Sequence, residues 1–438
     1  MITQCHWVLL FSGLLLCSNF LVVGGLDFDP LILFPGFADL FGIKWSRVVT
    51  VDDFGAKGDG VVDDTEAFRD AWKTACSLTW HTILQVPKGT YLVRPIDFAG
   101  PCQSKLTLSI AGTIVSPEDP DVWEGLDTHK WLYFHGIDHL TVKGGGTING
   151  MGEKWWARSC KINITNPCQH APMAITFHRC THVKVQDLTL LNSQQMHIAF
   201  TNCYRVTVSY LQVIAPAESP NTDGIHISQS VSVLIKHCTI KTGDDCISIV
   251  NHSSKVRIRQ VFCGPGHGIS IGSLGKNSSW DHVSDVRVNG AFITNTENGL
   301  RIKSWQGGRG YAHNIAFHNV FMQNVSNPII IDQYYCDSFV PCQNQTSAVM
   351  VDDVSFVSIK GTSATDEAIK LSCSDTLPCQ NIYLQDVQLF LSSGEPTSAF
   401  CWNAFGISSG IVYPPCFPSD HCFIEQEALF NATLLSVA

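Results

Sequence analysis

Residues 183–190 read Val-Lys-Val-Gln-Asp-Leu-Thr-Leu, and this stretch decides the fold. Apolar side chains alternate with polar ones through Val183 and Val185, then again through Leu188 and Leu190. That is the signature of strand, bend, strand, with one face turned inward. The unit recurs: runs begin at Val183, Val206, Val233, Val256, Val286, Ile315, Val354 and Ile382, at intervals of 23, 27, 23, 30, 29, 39 and 28 residues. A unit this short cannot bury its apolar face alone, so neighbours must stack into one continuous core. Unequal intervals suit a parallel β-helix, whose turns tolerate loops of different length, better than a propeller or a hexapeptide solenoid. A sandwich or barrel would be linked by hairpins, and Asn149-Gly150, Asn289-Gly290 and Asn298-Gly299 offer such turns locally. The expectation is an all-β chain, a single parallel β-helix.

Upstream of the repeats lies one helix signal. Asp63-Asp64-Thr65-Glu66 opens a segment that carries Ala67, Phe68, Ala71, Trp72 and Ala75 on one side. Asp63 and Glu66 have the spacing of a capping box, with Asp replacing the usual hydroxyl residue. A short amphipathic helix here would cap the exposed N-terminal end of the solenoid core, as such stacks require. The glycine-rich turn before it, Phe54 to Gly60, lacks the Gly-Lys-Ser/Thr ending of a phosphate loop.

Composition narrows the function. The 438 residues carry 28 Lys and Arg against 38 Asp and Glu, a net charge of −10, so no general basic footprint for nucleic acid exists. The first 25 residues hold no Asp, Glu, Lys or Arg; an apolar run from Trp7 to Leu16 and a second, Phe20 to Val23, lead to small residues at Gly24-Gly25. Residues 1–25 read as a secretory signal peptide, with His6 where a Lys or Arg is usual, and an uncleaved signal anchor is the competing reading. Residues 26–48 form a leader segment and 49–438 the catalytic domain, secreted and without stable membrane association once the signal is cut. Leaving out Cys5 and Cys17, sixteen cysteines remain, an even number that suits a disulfide framework. Cys160/Cys168, Cys336/Cys342 and Cys373/Cys379 are close enough for local staples. Zinc is disfavoured because no C-x-x-C pair occurs. Sequons start at Asn163, Asn251, Asn277, Asn324, Asn344 and Asn431, as expected of glycan acceptors in an exported chain.

Chemistry-bearing motifs follow the repeat. Asn221-Thr222-Asp223-Gly224, Gly243-Asp244-Asp245-Cys246, Gly266-His267-Gly268-Ile269-Ser270 and Arg301-Ile302-Lys303 are spaced so that each falls on a successive turn of one wall. Neighbouring parallel strands lie roughly 4.8 Å apart, so distant residues would form a column. Gly243 lets the chain bend and bring Asp244 and Asp245 toward one cleft. Three carboxylates there cannot all ionise freely, which gives the split between protonated acid and ionised base that glycoside hydrolysis needs. Arg301 and Lys303 share a strand face and suit an anionic sugar. His197 and His226 alternate with apolar neighbours and read as structural residues bordering the cleft.

At these residues the sequence resembles the polygalacturonases of glycosyl hydrolase family twenty-eight, particularly plant members, whose series N-T-D, D-D, G-H-G and R-I-K stands here without substitution. The Asp52 to Gly60 opening with Asp63-Asp64-Thr65 also resembles the plant N-terminus. The resemblance implies a right-handed parallel β-helix that hydrolyses α-1,4-linked galacturonan with inversion. It implies Asp244 as general acid, Asp223 and Asp245 as the pair that activates water, and His267 as support for the acid. Arg301 and Lys303 would bind galacturonate, and Tyr335, in Gln333-Tyr334-Tyr335, would be the cleft tyrosine. No cofactor or metal is expected, the partner is pectic polysaccharide, and the working unit is expected to be a monomer. The alternatives are hydrolysis of rhamnogalacturonan or xylogalacturonan, a calcium-dependent pectate lyase, and a non-catalytic wall-binding solenoid.

Overall fold

The computed structural model describes residues 46–338 and 340–418. The expected signal peptide, nearly all of the leader, Asn431 and the last cysteine, Cys422, lie outside the described residues. The regular structure begins at Arg47–Thr50, two residues before the expected boundary.

Among the described residues every strand pairing is parallel, and the strands fall into a 20-stranded and an 11-stranded sheet wound around one apolar interior. This is the expected β-helix, and the right-handed sense is the one parallel crossovers adopt. The eight run starts read from the sequence stack in a single column: Val183 pairs with Val206, then Val233, Val256, Val286, Ile315, Val354 and Ile382. All eight are buried. None of the three Asn-Gly pairs turns a hairpin.

One turn shows how the chain closes on itself. Ile198–Thr201 belongs to the smaller sheet; Tyr204–Ser209 and Gln212–Ile214 belong to the larger. Asn202 and Tyr210, at φ 55° in each case, make the two corners. The second corner repeats at Asp187, Tyr210, His237 and Gln260, each in the left-handed region. Asn, Asp and His tolerate this conformation better than branched residues, which is why the corners are polar. In the smaller sheet Phe98, Phe134, Phe177 and Phe200 stack on successive turns, with centroids 4.6, 5.0 and 5.2 Å apart.

The N-terminal end is closed by a helix, Thr65–Ser77, whose buried side contains all five expected apolar residues. The expected capping box is absent. Asp63 accepts the Thr65 N–H at 3.0 Å and pairs with Arg94, while Asp64 accepts the N–H groups of Lys57 and Gly58 at 2.6 and 3.2 Å. The two aspartates thus tie the glycine-rich turn and Arg94 to the helix start, and Glu66 instead pairs with Arg69. Trp72 drives into the first turns against Phe98 and Phe134. A second short helix, Glu153–Ala157, was not evident from sequence. No helix among the described residues is long and apolar enough to cross a membrane.

Among the described residues six disulfides form, including the three expected local staples, together with Cys76–Cys102, Cys246–Cys263 and Cys401–Cys416. Among the described residues Cys180, Cys203 and Cys238 stand outside this framework, free and buried. Cys180 and Cys203 occupy one corner on successive turns, where Ser230 and Ser253 continue the column; each Sγ or Oγ faces a main-chain carbonyl. A thiol serves there as a small apolar filler with a weak donor. Asn163, Asn277, Asn324 and Asn344 are exposed and Asn251 is half-buried.

Candidate active site

The site is built where loops enter the strands of the smaller sheet. Ile225–Ser228, Ile247–Ile249, Ile269–Leu274 and Asn298–Trp305 pair in register, so that His226, Ser248, Ser270 and Arg301 form one outward column. Their neighbours Ile225, Ile227, Ile247, Ile249, Ile269, Ile271 and Ile302 point into the core. Period-two alternation fixes both faces at once. The entering loops stack likewise: Gly224 N–H donates to Asp245 O at 2.9 Å and Cys246 N–H to Gly268 O at 2.8 Å, which sets Asp223, Asp245 and His267 on adjacent turns.

Asp245 is almost fully buried and held from three sides. Arg301 Nη2 donates to its Oδ1 at 2.7 Å, Ser270 Oγ to the same oxygen at 2.7 Å, and Lys303 Nζ to Oδ2 at 3.0 Å. Burial alone would raise this carboxyl, but the Lys303 and Arg301 charges and the Ser270 hydrogen bond reverse it and bring it down to about 2. Asp245 therefore stays ionised. Asp223 behaves in the opposite way: burial first, then the charge of Asp244, pushes its carboxyl up, against a weaker downward pull from His226. Its Oδ2 accepts from Ser248 Oγ at 2.6 Å, and His226 Nδ1 lies 2.8 Å from that hydroxyl and 3.7 Å from Oδ2. Each buried aspartate is thus anchored by a serine 25 residues further on.

Asp244 is less buried than the other two. Its Oδ1 lies 3.1 Å from His267 Nδ1, and its carbonyl accepts the His267 N–H at 2.8 Å. Burial lowers the His267 imidazole, but the Asp244 hydrogen bond and the charges of Asp244, Glu297 and Asp245 outweigh it, and the net shift is upward. Glu297 Oε2 is 3.3 Å from His267 Nε2, so the ring is held at both nitrogens. The glycines of these motifs are needed for close approach. A Cβ on Gly243 would sit 2.1 Å from Ser219 O, and one on Gly268 would sit 2.1 Å from Asn298 O at a φ of +82°. Gly243 itself is not left-handed, so the expected bend is a packing requirement instead. The Cys246–Cys263 disulfide pins the segment immediately after Asp245.

All seven residues expected from sequence gather here. Tyr335 packs edge-on against Trp305, and Lys303 Nζ stands 5.2 Å over its ring. His197, by contrast, is sealed in the wall: Nδ1 meets Asp223 O at 3.1 Å, and burial pushes the ring down to about 4. That is the structural role expected of it. His226 has moved from wall residue to site residue. Ser248 and Glu297 were not found in the sequence, and Ser270 closed the His267 motif without a role, because serines and a glutamate carry no signal of what they hold until the register is known.

Asp244, Asp245 and His267 offer donor atoms within 4.8 Å of one another, as a cation site would. Both Asp245 oxygens are already taken by Arg301 and Lys303, whose positive charges oppose a metal ion there. The arrangement instead provides an ionised carboxylate beside two crowded ones, with an imidazole that carries a proton readily. Two cations facing one fixed anion leave one positive charge in surplus for an incoming carboxylate.

The sequence pattern of glycosyl hydrolases family 28 matches residues 76–409. A rhamnogalacturonase A/epimerase, pectate lyase-like pattern matches residues 48–99. A probable polygalacturonase of Arabidopsis thaliana is 60% identical over 390 residues, covering 88% of each chain. A polygalacturonase of Malus domestica is 51% identical over 373 residues, covering 85% of this chain and 79% of its own. In three dimensions the polygalacturonase of Erwinia carotovora superposes with a TM-score of 0.69 at 21% identity, over 82% of this chain and 96% of its own, which speaks to the fold.

Proposed function

The chain belongs to glycosyl hydrolase family 28 and hydrolyses the pectin backbone as a polygalacturonase, and from that premise we propose that it cleaves α-1,4-galacturonosyl linkages with inversion, Asp244 acting as the acid. The observation that carries this reading is the unequal treatment of three neighbouring carboxylates. Asp245 is locked as an anion by Arg301 and Lys303. Asp244 is joined to a proton-bearing His267, and Asp223 is crowded by burial and by Asp244. Asp244 gives its proton to the glycosidic oxygen; Asp223 and Asp245 orient the water that attacks the opposite face of the sugar, and Asp223 accepts its proton. In an inverting site acid and base stand apart with room for that water. His267 restores the proton on Asp244. The surplus charge of Arg301 and Lys303, with Tyr335 beside them, takes the galacturonate carboxylate.

Export as a soluble protein to the cell wall is part of the same proposal, supported by the uncharged apolar N-terminus, the six disulfides and the exposed sequons. A monomer suffices, since one chain carries every named group. The test is the stereochemistry of fresh products on de-esterified polygalacturonate, followed by proton NMR of the new reducing ends. Inversion gives the β-anomer first, with α appearing only by mutarotation. An α-anomer first, or an unsaturated product absorbing ultraviolet light, overturns the proposal.

A further inference from the structure

On the larger sheet, away from the strands that carry the site, the outward side chains of several turns form an open groove of about 630 Å³. Lys105, Lys184, Arg205, Lys255, Arg257 and Arg259 line it, and no Asp or Glu does. In a chain of net charge −10 such a concentration of one sign is not a sample of the general surface. Register explains how it arises. Val183, Val206, Val233 and Val256 point inward on successive turns, so residues one position to either side point out. His182, Arg205, Ser232 and Lys255 then form one outward column, each with a left-handed φ between 54° and 66°. Lys184, Thr207, Leu234 and Arg257 form the next.

The cations are largely unspent. Arg257 is committed to Asp285, with its Nη2 2.8 and 2.9 Å from the two carboxylate oxygens. Asp138, at the rim, is taken by His139 and His182 at 2.8 and 2.9 Å. Arg205 Nη1 lies 3.1 Å from His182 Nε2. Among the described residues Lys105, Lys184, Arg205, Lys255 and Arg259 make no ion pair with a carboxylate. Lys105, Lys184, Arg205, Lys255 and Arg259 are all exposed.

We propose that this groove is a second binding site for the galacturonan chain, distinct from the catalytic cleft, which holds a length of substrate while another length is cut. The enzyme's polymer carries a carboxylate on each sugar, and the sheet offers cations along rows whose rungs repeat at roughly 4.8 Å. Exposed contacts of this kind are individually weak and screened by salt. Several on one polymer act together, because a chain caught at the groove presents its other segments to the cleft at high effective concentration. An oligomer too short to reach both places gains nothing from it. The inference rests on the substrate class and not on the roles assigned to Asp223, Asp244 and Asp245.

The test compares wild type with Lys184→Gln/Arg205→Gln/Lys255→Gln on a trigalacturonate and on long de-esterified polygalacturonate, at low and high salt. Trigalacturonate kinetics are expected to be unchanged, which also reports an intact fold. KM on the long polymer is expected to be roughly three- to tenfold higher in the variant at low salt, the difference vanishing at high salt. An unchanged polymer KM at low salt overturns the proposal, as does a loss of equal size on trimer and polymer. Failure of inverting hydrolysis would instead appear as product stereochemistry, which this experiment does not read.

Discussion

Arg301 lies 56 residues beyond Asp245, yet its guanidinium donates to the Asp245 carboxylate at 2.7 Å with both side chains buried. The pair makes Arg301 more than a substrate clamp. Removing one partner of a buried pair leaves an uncompensated charge and costs roughly 3–5 kcal/mol. Arg301→Ala is therefore expected to lower thermal stability and kcat as well as raise KM. Arg301→Lys should recover stability better than KM, since a point charge replaces a fork. Calorimetry beside steady-state kinetics checks this; a rise in KM alone, at unchanged kcat and Tm, would contradict it.

Asp244→Asn removes the proton donor and leaves the apolar interior untouched. Loss of a positioned general acid typically costs 10²–10⁴-fold, so kcat should fall at least about a hundredfold, with a wild-type melting temperature. Turnover near that of wild type would overturn the role given to Asp244.

The pH profile follows from two upward shifts. Asp223 must be ionised to accept a proton, and its raised carboxyl places the acid limb above the ordinary value of 3.8. His267 holds its proton beyond the ordinary 6.5, so the alkaline limb lies above that value. Glu297→Gln removes one of the charges that raise His267 and should move the alkaline limb to lower pH with little change in the plateau kcat. A kcat/KM profile with an unmoved limb would dissociate Glu297 from the imidazole.

Stability against pH carries the same signs. Asp245, depressed to about 2, contributes stability above the ordinary 3.8 that is lost as pH falls toward about 2. His267, raised, contributes stability below about 6.5 that is lost as pH climbs through its folded value. Denaturant midpoints of Asp245→Asn and His267→Gln across pH 2–8 should each converge on wild type at opposite ends, about where these groups change charge.

Trp72→Ala opens the N-terminal closure where Trp72 meets Phe98 and Phe134. Truncating a buried tryptophan costs roughly 3–5 kcal/mol, measurable as a lower denaturant midpoint. Cys180, Cys203 and Cys238 should resist alkylation in the native enzyme and react once it is unfolded; labelling of native Cys203 would place it nearer the surface than the corner it fills.

The sequence made the larger sheet legible because its runs are long enough to show alternation, and the eight run starts do pair as one column. The smaller sheet was hard to see. Two of its strands at the site, Ile225–Ser228 and Ile247–Ile249, are only four and three residues long, too short for a period to register. That sheet supplies Ser248 and Ser270, so the groups that anchor Asp223 and Asp245 were hidden with it. Motif residues Asp223, Asp244, Asp245, His267, Arg301, Lys303 and Tyr335 were readable because their neighbours are distinctive. What the order of motifs could not convey was that Asp245 and the two cations satisfy one another. The cysteine count could not say which thiols pair, because a thiol at a tight corner packs as a small residue whatever the oxidation state of the rest.

Strict stacking of Val183, Val206, Val233 and Val256 has an evolutionary corollary. Losing one residue inside such a rung would exchange its two faces, drawing Lys184 or Arg257 inward and turning valines to solvent, so rungs are intolerant of indels. Connecting segments that carry no site residue, such as residues 159–171, obey no such restriction. Descendants of this scaffold are therefore free to lengthen or trim the rims of the cleft, diversifying what they cut, while the rungs beneath keep their length.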